Sequence, residues 1–174
     1  TTTSAALVSV LLGQDPEAVT GRGAGLSSEG LRKKVDAIRR GIAVNRPDPQ
    51  DPIDVIAKVG GLDIAGLVGV FLGGALYHVP ILIDGLISSV AALSAMRLCP
   101  DAQGYMVASH VSGEPAGRLV MEALGLEAPI HAKMALGEGT GAVALIPLLD
   151  MALNLYHSMC SFEEYQMDAY VPLS

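Results

Sequence analysis

Apolar residues in this chain come in blocks separated by short polar punctuation, and the period of the blocks changes along the sequence. TTTSAALVSVLLG opens on hydroxyl residues able to cap a helix and runs apolar to a glycine, which predicts a mostly buried helix over 3–12. Asp15-Pro16-Glu17 supplies an N-cap, a proline at the first helical position and an acidic first turn, so a short helix follows. TGRGAGLSSEG is loop. Ser27 or Ser28 then caps a helix to about residue 43, with Leu31, Val35, Ile38 and Ile42 on one stripe. The Pro-rich stretch 45–52 is loop, because its prolines forbid a helix interior. Asp51-Pro52 restarts a short helix over IDVIAKV, and Gly60-Gly61 with Asp63 caps an apolar helix over 64–77.

Beyond residue 78 the pattern alternates. VPILID, 79–84, is short, β-branched and bounded by proline and Asp-Gly, and reads as a buried strand. A helix over 86–98 ends at Pro100, and GYMVAS, 104–109, reads as a second buried strand. A helix from Ser112 to Leu124 stops at Gly125, 130–136 is strand or loop, and a long helix over 141–159 carries Pro147. Strands alternating with helices predict an α/β fold with a parallel sheet. Two or three strands make a poor sheet, and several helices are apolar nearly all round. The expectation is therefore an incomplete part of a larger α/β domain, or a protomer covered by other protein.

Composition narrows the function. The chain has 174 residues, 51% hydrophobic and 17% charged, which suits one buried core and excludes disorder. A net charge of −7 and few aromatics argue against a nucleic-acid binder. One patch runs against that charge: Arg32, Lys33, Lys34, Arg39 and Arg40, read either as a solvated helix face or as an anion site. Cys99 and Cys160 belong to no CxxC, which points to a reducing, cytoplasmic setting. The four histidines lack metal-ligand spacing. Residues 64–83 carry no Asp, Glu, Lys or Arg and include Gly69-xxx-Gly73, as a membrane helix can. His78-Val-Pro80 breaks that run, and Asp150 and Asn154 sit mid-way along the last helix, so a membrane location is not expected.

In an open parallel sheet, ligands bind beyond the carboxyl ends of the strands. Those ends read Asp84-Gly85 and Ser109-His110-Val111-Ser112-Gly113, and Gly137-Glu138-Gly139 precedes the last helix. Three polar loops thus converge on one edge, each ahead of a helix whose free N–H groups attract anions. Each also has a plain structural role open to it. Asp84 and Ser112 can cap the helices they precede, His110 can be a hydrogen-bonded structural histidine, and Glu138 can be an acidic first turn. GRGAG, 21–25, has the chemistry of a phosphate cradle but follows a helix rather than a strand.

TGRGAGLSSEGLRKK, NRPDPQDPIDVIAKVGGLDIAGL, VPILIDGLISSVAAL, ASHVSGEPAGRLVMEALGLEAP and LGEGTGAVALIPLLDMAL, in this order, resemble the nicotinate-nucleotide–dimethylbenzimidazole phosphoribosyltransferase family of cobalamin biosynthesis. The resemblance implies transfer of phosphoribose from nicotinate mononucleotide to 5,6-dimethylbenzimidazole, giving α-ribazole 5′-phosphate and nicotinate. It implies a Rossmann-like parallel sheet flanked by helices, a small helical domain, a homodimer, and no metal or other cofactor. By the same likeness Glu138 is the general base, in a water-poor pocket beside Leu136 and Gly137, where the glycines let a flat aromatic substrate approach. Gly21, Arg22, Gly23, Lys34, Ser112 and Gly113 match positions near the phosphate and ribose, and Asp63 and Asp84 match recurrent family positions. The family is about twice as long and carries an upstream Gly-Glu-x-Gly-x-Gly-Asn segment. Residues 1–174 are therefore expected to be a carboxy-terminal part, inactive alone, with 160–174 as a tail of unassigned role. The alternative is a non-catalytic half that binds a partner supplying the rest.

Overall fold

A computed structural model describes residues 1–168 and 171. The tail assigned to 160–174 therefore lies partly outside the described residues. The chain runs α1 (Thr2–Leu11), α2 (Pro16–Val19), α3 (Ser28–Asn45), α4 (Pro52–Val59), α5 (Leu62–Tyr77), β1 (Ile81–Ile83), α6 (Leu86–Leu98), a 3₁₀ helix (Pro100–Tyr105), β2 (Met106–Ala108), α7 (Gly117–Leu124) and α8 (Thr140–Ser158). β1 and β2 are parallel, with Ile81 opposite Met106, Leu82 opposite Val107 and Ile83 opposite Ala108. A single parallel bridge joins His110 to Ile130, so the ambiguous 130–136 stretch is loop after one strand-like residue.

The local signals act as their chemistry requires. Asp15 accepts from Glu17 N–H at 2.7 Å, Ser27 from Gly30 N–H at 3.1 Å, and Asp51 from Ile53 and Asp54 N–H at 2.9 and 3.2 Å. Several bounds differ from expectation, among them the first strand, read over 79–84 and paired only over Ile81–Ile83. Residues 104–105 belong to the 3₁₀ helix, so the second strand is shorter at its start. The helix expected from Ser112 begins at Gly117: Ser112 Oγ accepts from Glu114 N–H at 3.3 Å, and Pro115 sits in the intervening turn. Gly61 is the N-cap of α5, and Asp63 lies in its first turn without capping it.

Helix α6 is the centre of the core. Val90, Ala91, Ala92, Leu93 and Ala95 are fully buried, and the helix packs against α5, α7, α1 and the 3₁₀ helix. Small side chains all round it let those neighbours approach closely, which explains its lack of amphipathic pattern. The end of β1 and the loop after β2 consequently emerge side by side at one edge. Helix α8 behaves differently. Of its residues only Gly141 and Leu145 are buried, and Val143, Ile146, Met151, Leu153, Leu155 and Tyr156 are exposed. Helix α6 is thus covered within this chain and α8 is not. A Cβ on Gly69 or Gly73 would meet nothing, so the GxxxG spacing packs no helix here. Among the described residues no helix is long and apolar enough to cross a membrane.

Candidate active site

The basic patch divides cleanly on α3. Lys33 pairs with Glu29 at 2.7 Å, Arg40 with Asp36 at 3.1 Å, and Arg39 with Asp15 and Glu17 at 2.9 and 3.2 Å, all on the solvated face. Lys34 faces the other way and is only 8% exposed. Its ammonium donates to Gly21 O at 2.8 Å and to Thr1 Oγ1 at 3.0 Å, pinning the GRG loop from beneath. The solvated-face reading therefore holds for Lys33, Arg39 and Arg40, and Lys34 is set apart as a buried prop of the GRG loop. Arg22 has its guanidinium turned back, donating to Leu26 O at 2.6 Å and Ser28 Oγ at 3.1 Å, so it closes its own loop.

That loop forms one wall of a cleft of about 870 Å³. Gly21, Arg22 and Gly23 line it together with Ser112, Gly113, Asp84, Leu136, Gly137 and Glu138, so most of the residues singled out in the sequence meet there. Two do not line it: Lys34 lies under the GRG loop, and Asp63 is exposed at the start of α5. Hydrogen bonds tie the walls together. Gly23 N–H donates to Glu114 Oε1 at 3.1 Å, Gly113 N–H to Met134 O at 3.4 Å, and Gly139 N–H to Asp84 Oδ2 at 3.1 Å. Glu114 is a wall residue that the sequence reading did not single out, although it stands in the SGEP run. Its Oε2 is buried with no hydrogen-bond partner among the described residues and lies where a Cβ on Gly21 would be, 1.8 Å from it.

The acidic collar has a structure that its composition only hinted at. Gly137, Glu138 and Gly139 have φ of 78°, 57° and 79°, three successive left-handed residues. Two of the three positions carry glycine because a side chain there costs about 1–2 kcal/mol per residue. A Cβ at either glycine meets nothing within the chain, so within the chain the collar's glycines answer to backbone conformation. Glu138 is not an acidic first turn: Gly139 is the N-cap of α8, and Glu138 precedes it. Nor is it buried in this chain. It stands exposed at the mouth of the cleft, and its neighbour Leu136 is 73% exposed, since no described segment folds over the loop.

Asp84, at the end of β1, does not cap α6, whose N-cap is Gly85 without a side-chain bond. Its carboxylate reaches across to α8 instead: Oδ2 accepts from Gly139 N–H, and Oδ1 from Gly141 and Ala142 N–H at 2.8 and 3.2 Å. The first-turn amides of α8, expected to be free for an anionic ligand, are thus already bonded. His110 is 5% exposed, pairs with Ser109 Oγ at 3.0 Å, and presses on Gly141, where a Cβ would come within 1.9 Å of Nδ1. It is a structural histidine that also lines the cleft. No group of three or more His, Cys, Asp and Glu side chains among the described residues is placed to hold a metal ion.

Comparison with known proteins bears on the chain as a whole. The chain is 48% identical over 172 residues to a nicotinate-nucleotide–dimethylbenzimidazole phosphoribosyltransferase of Acetivibrio thermocellus, covering 99% of this chain and 49% of that protein. It is 45% identical over 159 residues to the enzyme of that name from Escherichia coli strain K12, covering 91% and 44%. The crystal structure of CobT from Thermus thermophilus superposes with a TM-score of 0.88 at 41% identity, covering 96% of this chain and 50% of that one. The chain spans about half the length of the relatives it matches. With its residues 1–167 matching the DBI_PRT phosphoribosyltransferase model, the chain belongs to that family.

Proposed function

We propose that residues 1–174 are the carboxy-terminal part of an enzyme that transfers phosphoribose from nicotinate mononucleotide to 5,6-dimethylbenzimidazole, releasing nicotinate and α-ribazole 5′-phosphate with inversion at the anomeric carbon. The observation that carries this reading is the shared cleft: Glu138 lines the same cavity as the GRG loop and Ser112-Gly113. The reaction needs those two chemistries within one substrate length. Dimethylbenzimidazole gives its ring N–H proton to the Glu138 carboxylate while its other nitrogen forms a bond to C1′ of the ribose. The C1′–N bond to nicotinate breaks, and its electron pair neutralises the pyridinium ring as nicotinate leaves. A base positioned for such a transfer contributes about 10²–10⁴-fold.

The exposure of Glu138 and Leu136 fits an arriving planar ring. Laid on Leu136 beside the collar, the ring expels water from the carboxylate and makes it a stronger base when the substrate is present. On the other wall the amides of Gly21 and Arg22 and the Ser112 hydroxyl, beside Gly113, are suited to phosphate and ribose. Lys34 holds the GRG loop and has one N–H beyond the two bonds it makes. We place the chain in a Rossmann-like domain of a cytoplasmic homodimer. The apolar outer side of α8 supports coverage by further protein, and the unpaired Cys99 and Cys160 support a reducing compartment. The test is Glu138→Gln in the complete enzyme, this chain joined to the remaining half of its relatives' length. Turnover is expected to fall by about 10²–10⁴ with KM little changed. Near-normal turnover would remove Glu138 from the mechanism.

A further inference from the structure

We propose that Asp84 is a positioning residue for Glu138: by accepting the N–H groups of Gly139, Gly141 and Ala142, its carboxylate holds the left-handed collar in the one path that presents Glu138 to the cleft. The inference rests on the assignment of Glu138 as the base.

The link is tertiary, since Asp84 and its partners lie 55, 57 and 58 residues apart. Three successive left-handed residues are not held by local preference, because one of them is a glutamate. Within the collar, Thr140 N–H and Oγ1 donate to Gly137 O at 3.0 and 2.7 Å, and Val143 N–H donates to Gly139 O at 2.9 Å. Those ties close the turn on itself and leave its place relative to the cleft open. Asp84 supplies that place from a rigid origin. It follows β1 directly, its own N–H donates to Ser88 Oγ at 3.0 Å, and Ser109 Oγ donates to the neighbouring Ile83 O at 2.6 Å. Both carboxylate oxygens are committed, one to the collar and one to the first turn of α8. The His110 ring stands against Gly141 as a stop. Asp84 pulls the turn inward, and His110 limits how far it comes. A pull and a stop together define one position, which is what a base must have to meet a protonated ring nitrogen about 2.6–3.2 Å away. Misplacement by about 1 Å costs on the order of 10²-fold in rate.

The experiment is a double-mutant cycle in the complete enzyme. Asp84→Asn replaces one accepting oxygen with an NH₂ group and is expected to lower kcat by about 10–100-fold, with KM for nicotinate mononucleotide within about threefold. In the Glu138→Gln background the same substitution is expected to lower kcat by less than about threefold, because the group it positions has already lost its basicity. Amide exchange at Gly139, Gly141 and Ala142 is expected to quicken in Asp84→Asn, while exchange in β1 and β2 stays as it was. A second variant, Ala142→Pro, removes one of the donors from the opposite side at a position where a first turn tolerates proline, and it serves the same cycle if Asp84→Asn does not fold. Equal losses in the two backgrounds, or unchanged exchange at the collar, overturn the positioning role alone. Near-normal turnover of Glu138→Gln by itself overturns the base assignment, and the role given to Asp84 with it.

Discussion

Replacing Gly141 with alanine tests how the site is fixed to the fold. The added Cβ falls 1.9 Å from His110 Nδ1, 2.3 Å from Cε1 and 3.0 Å from Asp84 Oδ1. Ordinary contact begins near about 3.5 Å, so something moves by more than about 1 Å. The His110 ring cannot yield cheaply. It is buried, bonded to Ser109, and held by the bridge to Ile130. The first turn of α8 therefore gives way, which strains or breaks the bonds to Asp84. Overpacking costs about 1–3 kcal/mol. One lost hydrogen bond to a charged acceptor adds about 1.5–3 kcal/mol. Alanine returns up to about 1 kcal/mol of helix propensity. The net expectation is a loss of about 2–5 kcal/mol. For a chain of this size that lowers Tm by roughly 5–15 °C. Urea and thermal unfolding followed by circular dichroism measure it. Gly66→Ala on α5 is the control, because a Cβ there meets nothing, and it should stabilise by about 0.5–1 kcal/mol. If Gly141→Ala matched Gly66→Ala, the packing of α8 on His110 and Asp84 would be refuted.

Two further outcomes follow from Lys34 and from the acidic caps. Lys34→Met strips Gly21 O of its buried donor, and a loss of about 1–3 kcal/mol is expected in urea unfolding, with KM for the phosphoribosyl donor rising about tenfold or more in the complete enzyme. Arg40→Ala, which removes an exposed pair on the same helix, should stay within about 0.5 kcal/mol, and equal effects of the two would contradict the division of the basic patch. Asp15 is held below the usual carboxylate range by Glu17 N–H and then Arg39, and Asp54 by Lys58 and then Asp48 N–H. A lowered folded-state value stabilises above the unfolded value near about 4 and is lost as pH falls through the folded one. The urea midpoint should therefore drop as pH falls below about 4, and less steeply in the Asp15→Asn/Asp54→Asn variant.

The elements were legible because their signals are local. A cap such as Asp51 bonds an amide two or three residues away, so the sequence contains both partners, and Pro52 reinforces the same choice. Ser112 misled for the reason that makes caps readable: its hydroxyl does bond a nearby amide, but Pro115 delays the helix to Gly117. The cleft was half legible. Strand ends and helix starts placed the polar loops at one edge, and the structure gathers them there. The direction of each side chain was not legible. Arg22 closes a loop and Asp63 stays outside the cleft. Glu114 enters the wall unannounced, because its partner, Gly23, is 91 residues away.

The sequence by itself determined which segments form helices and strands, that the strands run parallel, and that a carboxylate sits in a glycine-rich turn ahead of the last helix. Those are short-range consequences of propensity, capping and period. Only the tertiary structure decided which partners the polar groups take. Asp84 caps α8 rather than α6, Lys34 turns away from its basic neighbours, and His110 stops Gly141. Such choices depend on which groups the packed core of α6 brings within about 3 Å of one another. No local pattern carries that distance, so Glu138 could be found in the sequence while the residues that hold its loop in place could not.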